Sequence, residues 1–208
     1  MMKLWFIGVL WLSWASITAM AQGAVPLDTY SSPDGAFQFF NPQNYDLLVG
    51  ERILTGTQGR HSGIPVCDFA TATVCVIYPI ANDENTRFEA AGFSVHAIPG
   101  IATESECLNY SDQSAKPQLQ LAQLTSISIN DRTFRRFFTK KKVSGHWQAA
   151  DLYRTFQQQR CYEFHIEVSL AEESSGQRPV SSNSLGDAKA DSVRESLRLI
   201  MSTVVFEQ

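Results

Sequence analysis

The chain has 208 residues, of which 44% are hydrophobic and 18% charged, a balance that belongs to globular proteins and excludes an intrinsically disordered segment. Asp and Glu outnumber Lys and Arg by 21 to 17, a formal charge of −4, which argues against a general nucleic-acid binder. No Gly-x-Ser-x-Gly, His-Glu-x-x-His, Gly-x-x-x-x-Gly-Lys or Gly-x-Gly-x-x-Gly occurs, so the common hydrolases, zincins and nucleotide-dependent enzymes have no sequence support.

Met1-Met2-Lys3 carries one positive charge, Leu4 to Met20 is apolar with small polar interruptions, and Ala19-Met20-Ala21 has the small-x-small pattern of a cleavage site. These features predict a signal peptide over 1–21 and a single α+β domain over 22–208. The apolar run is nearly long enough for an uncleaved anchor, but no charged cluster follows Ala21 to stop transfer. No Arg-Arg pair precedes the run and no Cys sits at the cleavage point, so neither a twin-arginine signal nor a lipoprotein anchor is indicated. The expected location is extracytoplasmic, secreted or periplasmic, with no integral membrane segment after cleavage. Loss of Lys3 leaves 16 Lys and Arg against 21 Asp and Glu, a formal −5. A mature chain of this length buries about 70% of its unfolded surface and needs neither metal nor disulfide merely to form a core.

Residues 22–35 read as a lead-in ending in the turn Ser31-Ser32-Pro33-Asp34-Gly35. Ala36 to Phe40 reads as a short strand, Asn41-Pro42 as a break, Tyr45 to Ile53 as an extended run, and residues 54–66, with three glycines and Pro65, as a surface loop. Ala70 to Tyr78 and Gly92 to Ile98 are strand candidates rich in β-branched and aromatic residues. Thr103 to Tyr110 is a short helix with Thr103 and Glu106 at capping-box spacing. From Leu124 the alternation of Thr125, Ile127 and Ile129 with serines gives a strand, Asn130-Asp131 a turn, and Thr133 to Lys140 its partner. A second antiparallel pair runs from Trp147 to Phe156 and, after a tight Gln157–Gln159 connection, from Arg160 to Leu170. Residues 171–184 are polar. Asp187 caps a helix to about Met201 with Val193, Leu197, Ile200 and Met201 on one face, and Thr203 to Phe206 returns as a terminal strand. Runs of strands with few helices predict an α+β fold, an antiparallel sheet flanked by a few helices.

All four cysteines, Cys67, Cys75, Cys107 and Cys161, lie in the mature part, and an even count in an exported chain favours two disulfides. Three connectivities are open. Cys67 with Cys75 and Cys107 with Cys161 is preferred, since the first two are close in sequence and the second pair would tie a helix to the sheet. No Cys-x-x-Cys occurs, and no His stands at ligand spacing from a Cys.

The pattern resembles the PsbP/Mog1-like architecture, an α/β/α sandwich. Its carriers are Phe37-Gln38-Phe39-Phe40-Asn41-Pro42, the Ile129-Asn130-Asp131-Arg132-Thr133-Phe134 hairpin, the long strand pair ending in Cys161-Tyr162-Glu163-Phe164, and the closing Ser202-Thr203-Val204-Val205-Phe206. The resemblance implies an exported accessory protein without a catalytic motif, and it carries over no functional residue.

Two constellations bear chemistry. Glu163, His165 and Glu167 share one strand face, where they are the polar side of a half-buried strand or, if His96 and His146 converge on them, an acid/base pair or metal ligands. Arg132, Arg135, Arg136, Lys140, Lys141 and Lys142 make a basic hairpin interleaved with Phe134, Phe137 and Phe138. Such a stretch is a solvated hairpin with its aromatics turned to the core, or the interaction patch for an anionic surface or an acidic partner. Asn109-Tyr110-Ser111 matches a glycosylation acceptor, relevant only to a eukaryotic secretory route, and Gly145-His146-Trp147 is a compact turn into a strand. The function expected from these features is an exported, non-enzymatic binding or accessory module that uses no cofactor and meets an unknown protein or an anionic surface. A metal-dependent or acid/base hydrolase on the Glu163/His165/Glu167 face and a structural envelope protein are the alternatives.

Overall fold

The computed structural model describes residues 25–50, 66–67, 71–79, 87–109, 122–143, 145–171, 185 and 187–207. The expected signal peptide over 1–21, the loop over 54–65, the polar stretch over 172–184, and Tyr110 and Ser111 of the glycosylation triplet lie outside them. Seven strands build the main sheet: β3 (Asp46–Val49), β4 (Ala72–Ile77), β5 (Phe88–Ile98), β6 (Ala122–Ile129), β7 (Arg132–Val143), β8 (His146–Gln157) and β9 (Arg160–Leu170). Their spatial order is β3-β4-β5-β9-β8-β7-β6, and every neighbouring pair is antiparallel. The turns of β6–β7 and β8–β9 are two residues long, Asn130-Asp131 at φ 46° and 62° and Gln158-Gln159 at φ 48° and 61°. Left-handed backbone at both central residues matches the right-handed twist of the strands and so fixes their register.

Period-2 alternation decides the layers. Tyr162, Phe164, Ile166, Val168 and Leu170 of β9 are all buried on one face. That face is covered by a second sheet, β1 (Leu27–Ser31), β2 (Phe37–Pro42) and β10 (Val205–Phe206) in the order β1-β2-β10, and by the carboxy-terminal helix. Phe37 meets Tyr162 and Phe164 edge-on at 5.6 and 5.7 Å, and Phe39 meets Phe93 at 5.1 Å, aromatic pairs worth about 0.5–1.5 kcal/mol each beyond their burial. The helix spans Ala188–Ser202; its cap Asp187 accepts a hydrogen bond from Ala190 N at 3.0 Å. Val193, Leu197, Ile200 and Met201 are buried along it as the i, i+4, i+7, i+8 spacing requires.

The opposite face carries α1 (Glu104–Asn109); the Ala188–Ser202 helix is α2. The capping box of α1 is formed: Glu106 N donates to Thr103 Oγ1 at 3.2 Å and Thr103 N to Glu106 Oε2 at 3.1 Å. Cys107 of α1 is bonded to Cys161 of β9, and Cys67 to Cys75 of β4, the pairing preferred from the sequence. Leu48 and Ile77 join Cys67 and Cys75 in a small buried cluster on this side. Among the described residues, no helix is long and apolar enough to cross a membrane.

The α+β antiparallel architecture expected from the sequence is observed, with two differences. Leu27–Ser31 is strand β1 instead of a lead-in, held by its ladder to β2. Asn41-Pro42 continues β2 instead of breaking it: Pro42 pairs with Leu27 on one side, while β10 reaches only Phe37 and Gln38 on the other, so the missing proline N–H takes nothing from the β10 ladder. These two changes create the second sheet that occupies part of the α2 face.

Candidate functional site: opposed charge clusters on the central strands

On the α1 side, β9 presents Cys161, Glu163, His165, Glu167 and Ser169, and the register sets His96 and Ser94 of β5 opposite Glu163 and His165. Arg154 of β8 stands opposite Glu163 on the other flank and pairs with Glu163 Oε2. His165 Nε2 lies 2.5 Å from Glu163 Oε1. Burial alone would raise the Glu163 carboxyl, but the hydrogen bond and charge of His165, followed by Arg154, outweigh it and hold the group at about 2. For His165, burial disfavours the charged ring, yet the hydrogen bond to Glu163 and the charges of Glu163 and Glu167 raise its pKa above the ordinary 6.5. The His96 ring lies 4.3 Å from the His165 ring, centroid to centroid. Its Nδ1 is 2.9 Å from Thr71 Oγ1 and its Nε2 2.9 Å from Ser94 Oγ. Of the two histidines that convergence would require, His96 arrives. His146 does not, because it pairs with Glu89 at 2.9 Å, where Glu89 also accepts from Ser169 Oγ.

This arrangement fits a structural cross-tie between β5, β8 and β9. Glu163 is a low-pKa counter-ion bracketed by Arg154 and His165, and a raised His165 pKa favours imidazolium, a poor general base. Among the described residues, no group of three His, Cys, Asp or Glu can hold a metal.

On the α2 side, Asp151 occupies an inward position of β8 between Ala149 and Tyr153, with its side chain 0% exposed. Oδ1 accepts from Arg136 Nε at 3.1 Å and Nη2 at 2.7 Å, and Oδ2 from Arg194 Nε at 2.6 Å and Arg198 Nη2 at 2.8 Å. Burial pushes the Asp151 carboxyl up, but hydrogen bonding and charge from Arg194, with Arg198 and Arg136, bring it below its usual range. Arg194 stacks over Phe138 at 4.7 Å and Arg136 lies over Tyr153 at 5.8 Å.

The basic hairpin is divided by this geometry. Strand alternation sends Arg135 and Lys141 to the α1 side of β7 and Arg132, Arg136, Lys140 and Lys142 to the α2 side. Arg136 is drawn inward by Asp151, Lys140 lies 5.1 Å over the Trp147 ring, and Arg135 donates to Ser126 Oγ at 3.3 Å. Lys141 and Lys142 are exposed. Phe134 and Phe137 are buried and Phe138 half-buried, so the aromatics of the hairpin serve the core and its surface is cationic. Asp151, Arg194 and Arg198 were not legible as a site from motifs. A signal exists nonetheless: an acidic residue in the apolar phase of a strand, and arginines at i, i+4 beside the apolar stripe of a helix.

No family profile matches this sequence, and no curated protein does. Among the solved structures similar to the chain is PsbP (CyanoP) of the cyanobacterium Synechocystis sp. PCC 6803. It is 11% identical with a TM-score of 0.46, over 90% of this chain and 96% of that one. LpqN, involved in cell envelope biogenesis of Mycobacterium tuberculosis, is 8% identical with a TM-score of 0.49, over 88% of this chain and 91% of that one. A protein of Bacteroides thetaiotaomicron VPI-5482 is 10% identical with a TM-score of 0.42, over 86% of this chain and 48% of that one. A PsbP thus stands among the structural matches, the fold group that the sequence pattern resembles.

Proposed function

We propose that the chain is an exported, disulfide-stabilised accessory domain, without catalysis of its own, that docks onto an anionic surface through strand β7. The observation that carries this reading is the cationic edge. Six basic residues fall within Arg132 to Lys142, β7 is next to the terminal strand β6, and its alternation spreads cations over both sides of that edge. In a chain with a formal charge of −4, such a local reversal orients encounters with an anionic partner. Two disulfides support an oxidising, extracytoplasmic location, as do the signal features of residues 1–21.

Co-sedimentation of the oxidised protein with phosphatidylglycerol-containing vesicles tests the surface. Binding is expected to fall with rising salt and to be lost in a Lys141→Gln/Lys142→Gln variant, with none to purely zwitterionic vesicles. Equal binding to both vesicle types would refute it. Intact mass of protein from the extracytoplasmic fraction tests the export reading, with a chain expected to start at or within a few residues of Gln22.

A further inference from the structure

The two ends of the main sheet carry different protection. β3 closes one end with four residues, the first of them Asp46. β6 closes the other with eight, Ala-Gln-Leu-Thr-Ser-Ile-Ser-Ile, none of them charged and none proline. Among the described residues its ladder partner is β7 alone. The pairing is irregular between Ala122 and Thr125 and regular from Thr125 to Ile129. Along that regular stretch the backbone N–H and C=O groups that point away from β7 present a template for a further strand.

The charge that β6 lacks is supplied by the next strand. Arg135 stands opposite Ser126 and donates from Nη1 to Ser126 Oγ at 3.3 Å, so its guanidinium lies over β6, toward the open edge. Arg132 stands opposite Ile129, on the other face of the ladder. Among the described residues neither arginine is ion-paired to a carboxylate. A strand added beside β6 lies about 4.8 Å from it, which brings an acidic side chain there within reach of the guanidinium over Ser126. Charge decides between occupants. A second copy of the chain would set its own Arg132 and Arg135 against these two across the seam, whereas an acidic segment supplies their counter-charges.

We propose that β6 is a docking edge for an extended acidic segment of a partner protein, which adds to the main sheet as a further strand. Because side chains alternate between faces, the positions facing Ser126, Ile127, Ser128 and Ile129 call for an acidic, apolar, polar, acidic order. The first carboxylate meets Arg135 on the α1 side and the second meets Arg132 on the α2 side. The apolar residue between them covers Ile127, which is half-buried and packed against the core. This rests on the reading of the β7 edge as the anion-binding side of the molecule, and it uses residues other than Lys141 and Lys142.

The probe is a short fluorescein-labelled peptide centred on Glu-Val-Thr-Glu, titrated into the oxidised protein by fluorescence polarisation, with hydrogen exchange measured on the complex. Saturable binding is expected, with amide exchange slowed in the Thr125 to Ile129 stretch. Arg132→Gln/Arg135→Gln should weaken binding about fivefold or more. Lys141→Gln/Lys142→Gln should change it by less than about twofold, because Lys141 lies about 20 Å along β7 from Arg135, beyond the screening length. A Glu-Pro-Pro-Glu peptide keeps the charge but lacks the N–H groups that a ladder uses, and it should not bind. Equal affinity for the proline peptide, or exchange of the β6 amides left unslowed, would overturn strand addition. A dimer of the free protein that protects the same amides would overturn it too, since the edge would then belong to a second copy. No peptide binding, with vesicle binding still lost in Lys141→Gln/Lys142→Gln, overturns the peptide site and leaves the docking surface standing. Peptide binding without vesicle binding supports the site and removes the lipid surface.

Discussion

The two sides of the β8–β9 ribbon solve the same problem with different stoichiometry. Toward α1, Glu163 sits between Arg154 and a His165 whose protonation responds to Glu163 and Glu167, so the cluster can adjust its own charge. Toward α2, Asp151 faces three guanidiniums that cannot give up a proton. The α1-side cluster can shed charge, whereas the guanidiniums around Asp151 keep theirs at any working pH. A buried carboxylate on each side therefore does not imply an equal response to pH.

The sharpest way to break this contrast is Asp151→Asn, which keeps the shape and strips the anion from three arginines. We expect a loss of about 3–5 kcal/mol in urea unfolding. Glu163→Gln should cost less, about 1.5–3 kcal/mol, because His165 can shed its proton, so that only Arg154 loses a fixed counter-charge. Equal losses in the two variants would remove the distinction between an adjustable and a fixed cluster.

The pH dependence separates the two sides further. Glu163 is depressed to about 2, so its contribution is complete above its ordinary 4.5 and is lost as pH falls below 4.5 toward about 2. His165 is raised, so its contribution is complete below 6.5 and is lost as pH climbs through the elevated folded value. The α1-side cluster is thus strongest between about pH 4.5 and 6.5. Asp151 is also lowered and is weakened only on the acid limb. Thermal melts of His165→Gln should lose the alkaline decline attributable to this ring and keep only a smaller acid limb, because His165 is also the leading cause of the depressed Glu163 pKa while Arg154 and the Asp151 cluster remain. An unchanged alkaline limb would contradict the pairing.

The smallest effects lie in the helix caps. Thr103→Ala on α1 and Asp187→Ala on α2 each remove one cap, about 1 kcal/mol in typical proteins. The second should cost more here, since Asp187 also accepts from Arg87 N at 2.8 Å. Chemical denaturation of the pair would show the order.

Much of this architecture was legible in the chain. The alternation of Tyr162 through Leu170, the Thr103–Glu106 box and the Asp187 cap are local signals, and each governs the element that forms. Strand β1 was not, because only Tyr30 of its five residues is buried and its ladder, not a periodic face, makes it extended. The Glu163–His165 contact followed from i, i+2 spacing on one strand. The arrival of His96 needed the β5–β9 register, which no local pattern encodes. Asp151 stayed hidden for the same reason: its partners Arg194 and Arg198 lie 43 and 47 residues further along, on an element whose periodic signal is its apolar stripe.

Folding order follows from where the seam of the sheet falls. The β6–β9 meander closes through short connections, while β5 joins β9 across the whole meander, with Ile98 beside Cys161. Non-local pairing of this kind is slow because chain entropy is lost before contacts compensate it. Cys107 lies only a few residues after Ile98 and is bonded to Cys161, so the oxidised chain must close just the Ile98–Cys107 stretch to bring the two strands together. The bridge then acts on the rate at which the sheet is completed as well as on its strength: the reduced chain has to search for β9 through a loop that the oxidised chain has already shortened.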